Sequence, residues 1–218
     1  MKSHDLKHNS ATGHVTGRSV YVNDMESGPG QLVARVVYSK HAHARITDID
    51  VAKAAGVPGI AAIITAKDIP GKNQMGPVVH DEPCLAEGEV SFAGQAVVLI
   101  AAENEEAALE AERLIRIEYL PLDAVLTLRD AIAKNALIAP PRYILSGDAA
   151  GAMEKAPLKL EGILETGAQE HWYLETQSAL VVPGEGREMT VYASSQNPSE
   201  TQAIVAEVLG IQIGRAHV

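Results

Sequence analysis

Short strand-like runs separated by turn signals are the feature that most limits which folds this chain can adopt. Residues 46–51 and 115–119 alternate between apolar and polar side chains, as a half-buried strand does. Residues 32–38, 60–65 and 96–102 are mostly apolar and are short enough to be strands. Several short strands, rather than one long helical pattern, therefore predict a domain that contains sheets.

One helix is predicted among these strands. Asn104 can cap it, because an Asn side chain accepts a hydrogen bond from the first helical turn. Glu105 and Glu106 then lie near the positive end of the helix dipole and Arg113 lies near its negative end. Both placements stabilise a helix. Together with the strands, this helix predicts one α+β domain over residues 1–133.

The pattern of regular elements breaks over residues 134–157. Pro140 and Pro141 cannot lie inside a helix or a central strand, and the sequence at 146–148, Ser-Gly-Asp, favours a turn. We therefore predict a connector there, with one short helix around residues 149–154.

A second region is predicted over residues 158–218. It ends in a helix that Asn197 caps, with Pro198 in its first turn and Gly210 at its end. The strands predicted before this helix cover residues 158–164, 179–182 and 189–193.

Composition excludes several classes of protein. A net charge of −10 leaves no basic stripe to displace counterions from phosphates, so we expect no nucleic-acid partner. The one cysteine, Cys84, cannot form an intrachain disulfide and is typical of a reducing compartment. No apolar run approaches the roughly 18 residues of a membrane helix, and the N-terminus lacks the apolar core of a signal peptide. We therefore expect a cytoplasmic protein without a membrane partner.

Two polar motifs stand out in the second region. Residues 166–176 crowd Gln, Glu, His, Trp and Tyr side chains between apolar segments, and residues 194–198, Ser-Ser-Gln-Asn-Pro, close a strand pattern and open a helix pattern. Glu170 and His171 are not predicted to be an acid–base pair, because adjacent residues on a strand point to opposite faces. Hydrogen bonding that holds the segment in place is the favoured role.

These motifs resemble the start of the molybdenum-cofactor domain of xanthine dehydrogenase and related molybdenum hydroxylases. Residues 73–83 look most like the molybdenum-binding subunit of bacterial xanthine dehydrogenase. The resemblance implies a hammerhead-type α+β domain followed by the truncated start of a molybdopterin-binding α+β domain. The hammerhead resemblance is carried by residues 17–24, 39–46, 65–71 and 92–97.

The resemblance also implies a cofactor-binding residue, Gln196. In the family the matching amide donates a hydrogen bond to an oxygen on molybdenum. A neutral donor beside a helix N-terminus can stabilise such an oxygen without titrating. Gln169, Glu170 and His171 are further candidates for the cofactor side, and no residue of this chain is expected to ligate a metal directly or to be catalytic.

By the resemblance, the complete enzyme hydroxylates hypoxanthine and xanthine to urate with molybdopterin-bound molybdenum. Electrons then pass through iron–sulfur clusters to FAD and NAD. The chain has neither a cysteine set for such clusters nor a dinucleotide fingerprint. The Fe–S and FAD centres are therefore expected on other chains or domains, in a homodimer of heterodimers. The family's catalytic Glu lies beyond residue 218, so this chain alone is expected to be inactive.

Two alternatives stay open from the sequence. One is another molybdenum hydroxylase, which oxidises aldehydes or N-heterocycles. The other is a non-catalytic scaffold or interaction domain that kept the hammerhead part.

A metal site is also conceivable at residues 80–84, His-Asp-Glu-Pro-Cys, which contain four ligand types in five positions. A tetrahedral site normally draws its ligands from separated segments. We therefore predict a surface or substrate-side loop there.

The last six residues, 213–218, read Ile-Gly-Arg-Ala-His-Val, which matches the translation of a common sequencing adapter. We expect native sequence to end near Gln212. A chance similarity at this point is the alternative.

Overall fold

The computed structural model describes residues 8–25, 28–173 and 175–218. The strands are β1 (Val33–Tyr38), β2 (Ala44–Asp50), β3 (Ile60–Ile64), β4 (Glu89–Val90), β5 (Ala96–Ala102), β6 (Arg116–Pro121), β7 (Ala179–Pro183), β8 (Met189–Ala193) and β9 (Ala216–His217). The α-helices are α1 (Ala11–Thr16), α2 (Ala52–Ala55), α3 (Glu105–Leu114), α4 (Leu128–Ala133), α5 (Ala149–Lys155) and α6 (Pro198–Leu209). Single turns of 3-10 helix lie at Val22–Asp24, Ala66–Asp68 and Ile213–Arg215.

Within the described residues the strands form three sheets of three strands each. The central strand is β5 in the first sheet, between β1 and β3, and β2 in the second, between β4 and β6. In the third sheet β8 lies between β7 and β9. The pairs are antiparallel except for β8 with β9, which is parallel.

The main core is built around β5. Ile100 packs in one buried cluster with Ala108 and Ala111 of α3, and Val97 packs in a second with Val90 of β4. The alanines on the buried face of α3 bring its backbone close to the sheet, because a short side chain takes up little space between layers. Sheets and helices share one core, which confirms the predicted α+β class.

Most elements lie where the sequence predicts them. The five strands of the first region are confirmed, as β1, β2, β3, β5 and β6. The Oδ1 atom of Asn104 accepts a hydrogen bond from Ala107 N at 2.9 Å, so the predicted cap of α3 is confirmed. Helix α6 ends at Gly210, whose φ of 59° suits a glycine at a helix C-terminus.

The strand predicted over residues 158–164 is wrong. This segment is irregular, and its apolar side chains are nearly fully exposed, with Leu160 at 102% and Ile163 at 91%. A strand forms only where its backbone hydrogen-bonds to a neighbouring strand, and no described strand pairs with this one. Its apolar composition therefore does not produce a strand here.

The described residues fall into two compact units. One contains those of Met1–Ala124 together with those of Leu174–Val218, and the other is Val125–Tyr173. The boundaries predicted from the sequence, at 1–133, 134–157 and 158–218, stay a prediction. In the described part of the chain, no helix has the length and apolar character needed to cross a membrane.

Candidate cofactor-binding site

Gln196 lies in the short bend that joins the end of β8 to the start of α6. Its side chain is exposed, and neither its amide donor nor its carbonyl acceptor hydrogen-bonds to a described residue. The residue therefore lies just beyond the carboxyl end of β8, the central strand of the third sheet. Such a side chain can bind a group outside the chain without first breaking an internal contact.

The residues on both sides of Gln196 are held by side-chain hydrogen bonds. Ser195 Oγ lies 2.8 Å from Thr201 Oγ1 and accepts a hydrogen bond from Asn197 N at 3.2 Å. Asn197 Oδ1 accepts from Glu200 N at 3.2 Å, which confirms the predicted cap of α6. The bend is therefore fixed while the side chain between its anchors stays free.

The electrostatics of this bend favour an electronegative ligand. The first turn of a helix carries a partial positive charge. In α6 Pro198 has no N–H and Asn197 Oδ1 accepts that of Glu200, so it is the helix dipole that acts on a ligand here. Gln196 stands immediately before this end of α6, and its own amide adds a neutral N–H donor. The arrangement can bind an oxygen or sulfur atom of a bound group.

A cavity of about 420 Å³ adjoins the same bend. Ser195 and Pro198, which flank Gln196, line it together with Tyr21 and Val22 of the N-terminal segment. Most of its other walls are apolar, from Val20, Met25, Val191 and Ala193. The strand end is therefore open to a cleft rather than packed against the core.

Glu175 is a structural residue of this cleft that the sequence reasoning missed. Its Oε1 atom accepts a hydrogen bond from Val22 N at 2.8 Å and so holds the start of the 3-10 helix at Val22–Asp24. Glu175 lies in the polar motif 166–176, but its partner is 153 positions away in the sequence, and only the fold brings the two together. Leu174, in the same motif, lies outside the described residues.

The other three candidates lie in the second unit, whereas Gln196 lies in the first. Gln169, Glu170 and His171 are exposed and belong to an irregular stretch. Glu170 Oε1 accepts a hydrogen bond from the backbone N of His171 at 3.0 Å. The motif therefore makes local contacts, and a role for these three residues on the cofactor side stays a prediction.

The compact run 80–84 borders a different cavity, of about 380 Å³, lined by Asp81, Glu82 and Cys84. Burial raises the pKa of the Cys84 thiol, which keeps it protonated and weakly nucleophilic at neutral pH. No group of three or more side chains suited to hold a metal ion is found among the described residues.

Comparison with known protein families accounts for both regions. A family model described as "Aldehyde oxidase and xanthine dehydrogenase, a/b hammerhead domain" matches residues 16–123. A second, "Molybdopterin cofactor-binding domain", matches residues 133–218. The chain belongs to this family of molybdenum hydroxylases. The predicted resemblance, and the predicted order of a hammerhead domain before the start of a molybdopterin-binding domain, are confirmed.

The relatives are molybdenum-dependent oxidoreductases. The chain is 44% identical over 206 residues to xanthine dehydrogenase of Dictyostelium discoideum, which covers 94% of this chain and 15% of the relative. It is 37% identical over 212 residues to aldehyde oxidase 3 of Mus musculus, which covers 96% of this chain and 16% of the relative. The chain thus spans less than a fifth of the length of these curated relatives.

Solved structures show the same fold. The aldehyde oxidoreductase of Desulfovibrio gigas superposes with a TM-score of 0.83 at 24% identity, over 95% of this chain and 25% of that one. Quinoline 2-oxidoreductase of Pseudomonas putida 86 superposes with a TM-score of 0.78 at 24% identity, over 97% of this chain and 29% of that one.

Proposed function

We propose that this chain is the N-terminal part of the molybdenum-binding subunit of a xanthine dehydrogenase-like hydroxylase, acting in the cytoplasm on hypoxanthine and xanthine. The observation that carries this proposal is the 44% identity to a xanthine dehydrogenase over nearly the whole chain. Within Mus musculus the identities are equal to within one per cent, 37% to aldehyde oxidase 3 and 36% to xanthine dehydrogenase/oxidase, so the preference for a xanthine dehydrogenase rests on the Dictyostelium discoideum relative.

The residues present fit a molybdopterin cofactor. Gln196 offers an amide that no described residue occupies, at a strand end beside a helix N-terminus. When bound, the cofactor supplies the oxygen-transfer and two-electron chemistry of hydroxylation. Gln196 would donate its N–H to an oxygen of the cofactor, and Ser195 and Asn197 hold the bend that would orient it. Because the amide is neutral, this contact persists across the pH range in which a carboxylate or imidazole would titrate.

Other parts of the proposed enzyme lie outside this chain. Iron–sulfur clusters and FAD would be held by a partner subunit or by further domains, in a homodimer of heterodimers. The purine ring would be bound by residues that follow this chain in the complete enzyme. Activity is therefore a property of the assembly.

We predict that the isolated 218-residue chain neither retains molybdenum nor turns over xanthine. Gln196 is one neutral donor, and a single hydrogen bond does not retain a cofactor. Metal analysis and a xanthine assay on the purified chain test this. Stoichiometric molybdenum with turnover would contradict the proposal that most of the site lies elsewhere.

The substrate class is tested on the complete enzyme. Its kcat/KM should be highest for hypoxanthine and xanthine, with aldehydes and N-heterocycles such as quinoline as the comparison. A preference for an aldehyde would instead favour the second candidate, an aldehyde-oxidising member of the family, which the 37% identity to aldehyde oxidase 3 supports.

A further inference from the structure

A loop of the hammerhead region, residues 69–72, reaches the C-terminal end of α6. Gly71 N donates a hydrogen bond to Val208 O at 2.9 Å, and Lys72 N donates to Glu207 O at 3.0 Å. The last carbonyls of a helix have no partner within the helix. Here two of them are capped by a segment that lies 135 positions earlier in the sequence.

Cationic side chains gather at the same helix end. The Lys72 ammonium pairs with the Glu207 carboxylate, and Lys72 lowers the pKa of Glu207. Arg187 Nη2 donates to Leu209 O at 2.9 Å. Positive charge at a helix C-terminus is favourable because the unpaired carbonyls are partially negative. Exposed pairs of this kind add little stability, so their main effect is to set geometry.

Gly71 shows how close the approach is. A Cβ atom at this position would lie 2.6 Å from Gly210 N and 2.7 Å from Val208 O, and closer still to Glu207 O. All three are backbone atoms, so no change of side-chain rotamer can make room. Only glycine lets the loop lie directly against the end of α6.

The opposite end of α6 begins directly after the bend that holds Gln196. A helix of this length is about 18 Å long and rigid, so a shift at one end moves the other. We propose that residues 69–72 are a clamp that positions Gln196 by holding the far end of α6, with Lys72 as the positioning residue. This inference rests on the proposed role of Gln196.

The first test measures the clamp without any cofactor, by hydrogen exchange of α6 amides in the full 218-residue chain. Gly71→Ala should raise exchange in α6 about tenfold, and Lys72→Glu about threefold, because an exposed ion pair contributes less than the backbone contact. The charge swap Lys72→Glu with Glu207→Lys should return exchange to within about twofold of wild type, because the two side chains interact directly. Unchanged exchange in both single variants would overturn the clamp.

Matched controls separate the clamp from general effects of the substitutions. Lys53→Glu makes the same change in charge on α2, at an exposed position. Gly162→Ala adds a Cβ where no atom lies within 4 Å. Both should leave the exchange of α6 at the wild-type level, and faster exchange in either one would show that the effect is not specific to the clamp.

The second test asks whether the clamp acts through Gln196 in the complete enzyme. At equal molybdenum content, Lys72→Glu should lower kcat about threefold with KM nearly unchanged, and the charge swap should restore it. In a Gln196→Ala background, Lys72→Glu should have no further effect on kcat. An additive loss there would overturn the link to Gln196. A fully active Gln196→Ala enzyme would instead contradict the proposed function. The hydrogen-exchange experiment would then still test whether residues 69–72 hold the end of α6.

Discussion

At the scale of single residues, Gln196 differs from its neighbours because its side chain has no hydrogen-bond partner within residues 8–25, 28–173 and 175–218. Ser195 and Asn197 are each bound to α6 through their side chains, and Gln196 between them is exposed. A residue that stabilised the fold would be expected to have such contacts. The fold does not depend on this amide, which leaves it available to the ligand proposed above.

His43 is a histidine held by hydrogen bonds at both ring nitrogens. Its Nδ1 lies 2.6 Å from Asp123 O and its Nε2 lies 2.8 Å from Glu89 Oε1. The backbone carbonyl of Asp123 and then the Glu89 carboxylate raise the pKa of His43 above its ordinary value of 6.5. Protonated His43, directly before β2, thus bonds to β4 and to the segment that follows β6.

A histidine whose pKa is higher in the folded than in the unfolded protein stabilises the fold. This stabilisation is complete below the pKa of the unfolded state and is lost as the pH rises through the pKa of the folded state. We therefore predict that the melting temperature decreases as the pH is raised from about 6 to about 8. The decrease should be smaller in His43→Gln. Thermal denaturation across this range measures it. His171→Gln, at an exposed histidine, should keep the wild-type slope, and an equal slope in His43→Gln would contradict the role of His43.

At the scale of elements, the cap of α3 is a local feature with a measurable effect. Asn104→Ala removes the acceptor for Ala107 N and should lower the free energy of unfolding by about 1 kcal/mol. Asn104→Asp should retain stability, because a carboxylate caps equally well and favours the helix dipole. Urea denaturation measures the free energy of unfolding of both variants. Equal losses would show that the cap of α3 does not account for the loss in Asn104→Ala.

How much of the fold could be predicted depends on how local each interaction is. The strands of the first region and the caps Asn104 and Asn197 were predictable, because apolar runs and cap residues act within a few positions. The prediction of a strand at 158–164 was wrong, because a strand needs a partner strand that is distant in the sequence. The contact of Gly71 with α6 could not be seen either, because its partners are far away in the sequence.

The candidate site divides in the same way. Gln196 is proposed only through resemblance to a family, because nothing in the spacing of a single Gln marks a residue that binds a cofactor, and its role stays a prediction. That resemblance also covers Gln169, Glu170 and His171, whose placement beside a cofactor no local contact supports. Glu175 was missed, because its role is a long-range hydrogen bond to Val22.

At the scale of the whole molecule, the second unit, Val125–Tyr173, exposes many large apolar side chains, such as Ile138, Ile144 and Leu160. Apolar surface of this extent usually marks a contact with further protein. The chain's span of 15–16% of its curated relatives is consistent with such contacts in the proposed complete enzyme.

Limited proteolysis should therefore distinguish the two units. Trypsin should cut first in the second unit, where the backbone is irregular and exposed. Arg187 should be cut later, because its guanidinium is bound to Leu209 O in the first unit. An initial cut at Arg187 would contradict the packing of residues 174–218 with the first unit. The sites expected to be cut early are Lys134, Arg142, Lys155 and Lys159.

The proposed site at the end of β8 is tested most directly by the kcat of Gln196→Ala in the complete enzyme, expressed per bound molybdenum. The account predicts a loss of about 10-fold to about 1000-fold, comparable to the deletion of one donor to a developing negative charge, with folding unchanged. Ser199→Ala, at an exposed position of α6, should stay near wild type. Wild-type turnover by Gln196→Ala at full molybdenum occupancy would contradict the assignment of Gln196 to the cofactor site.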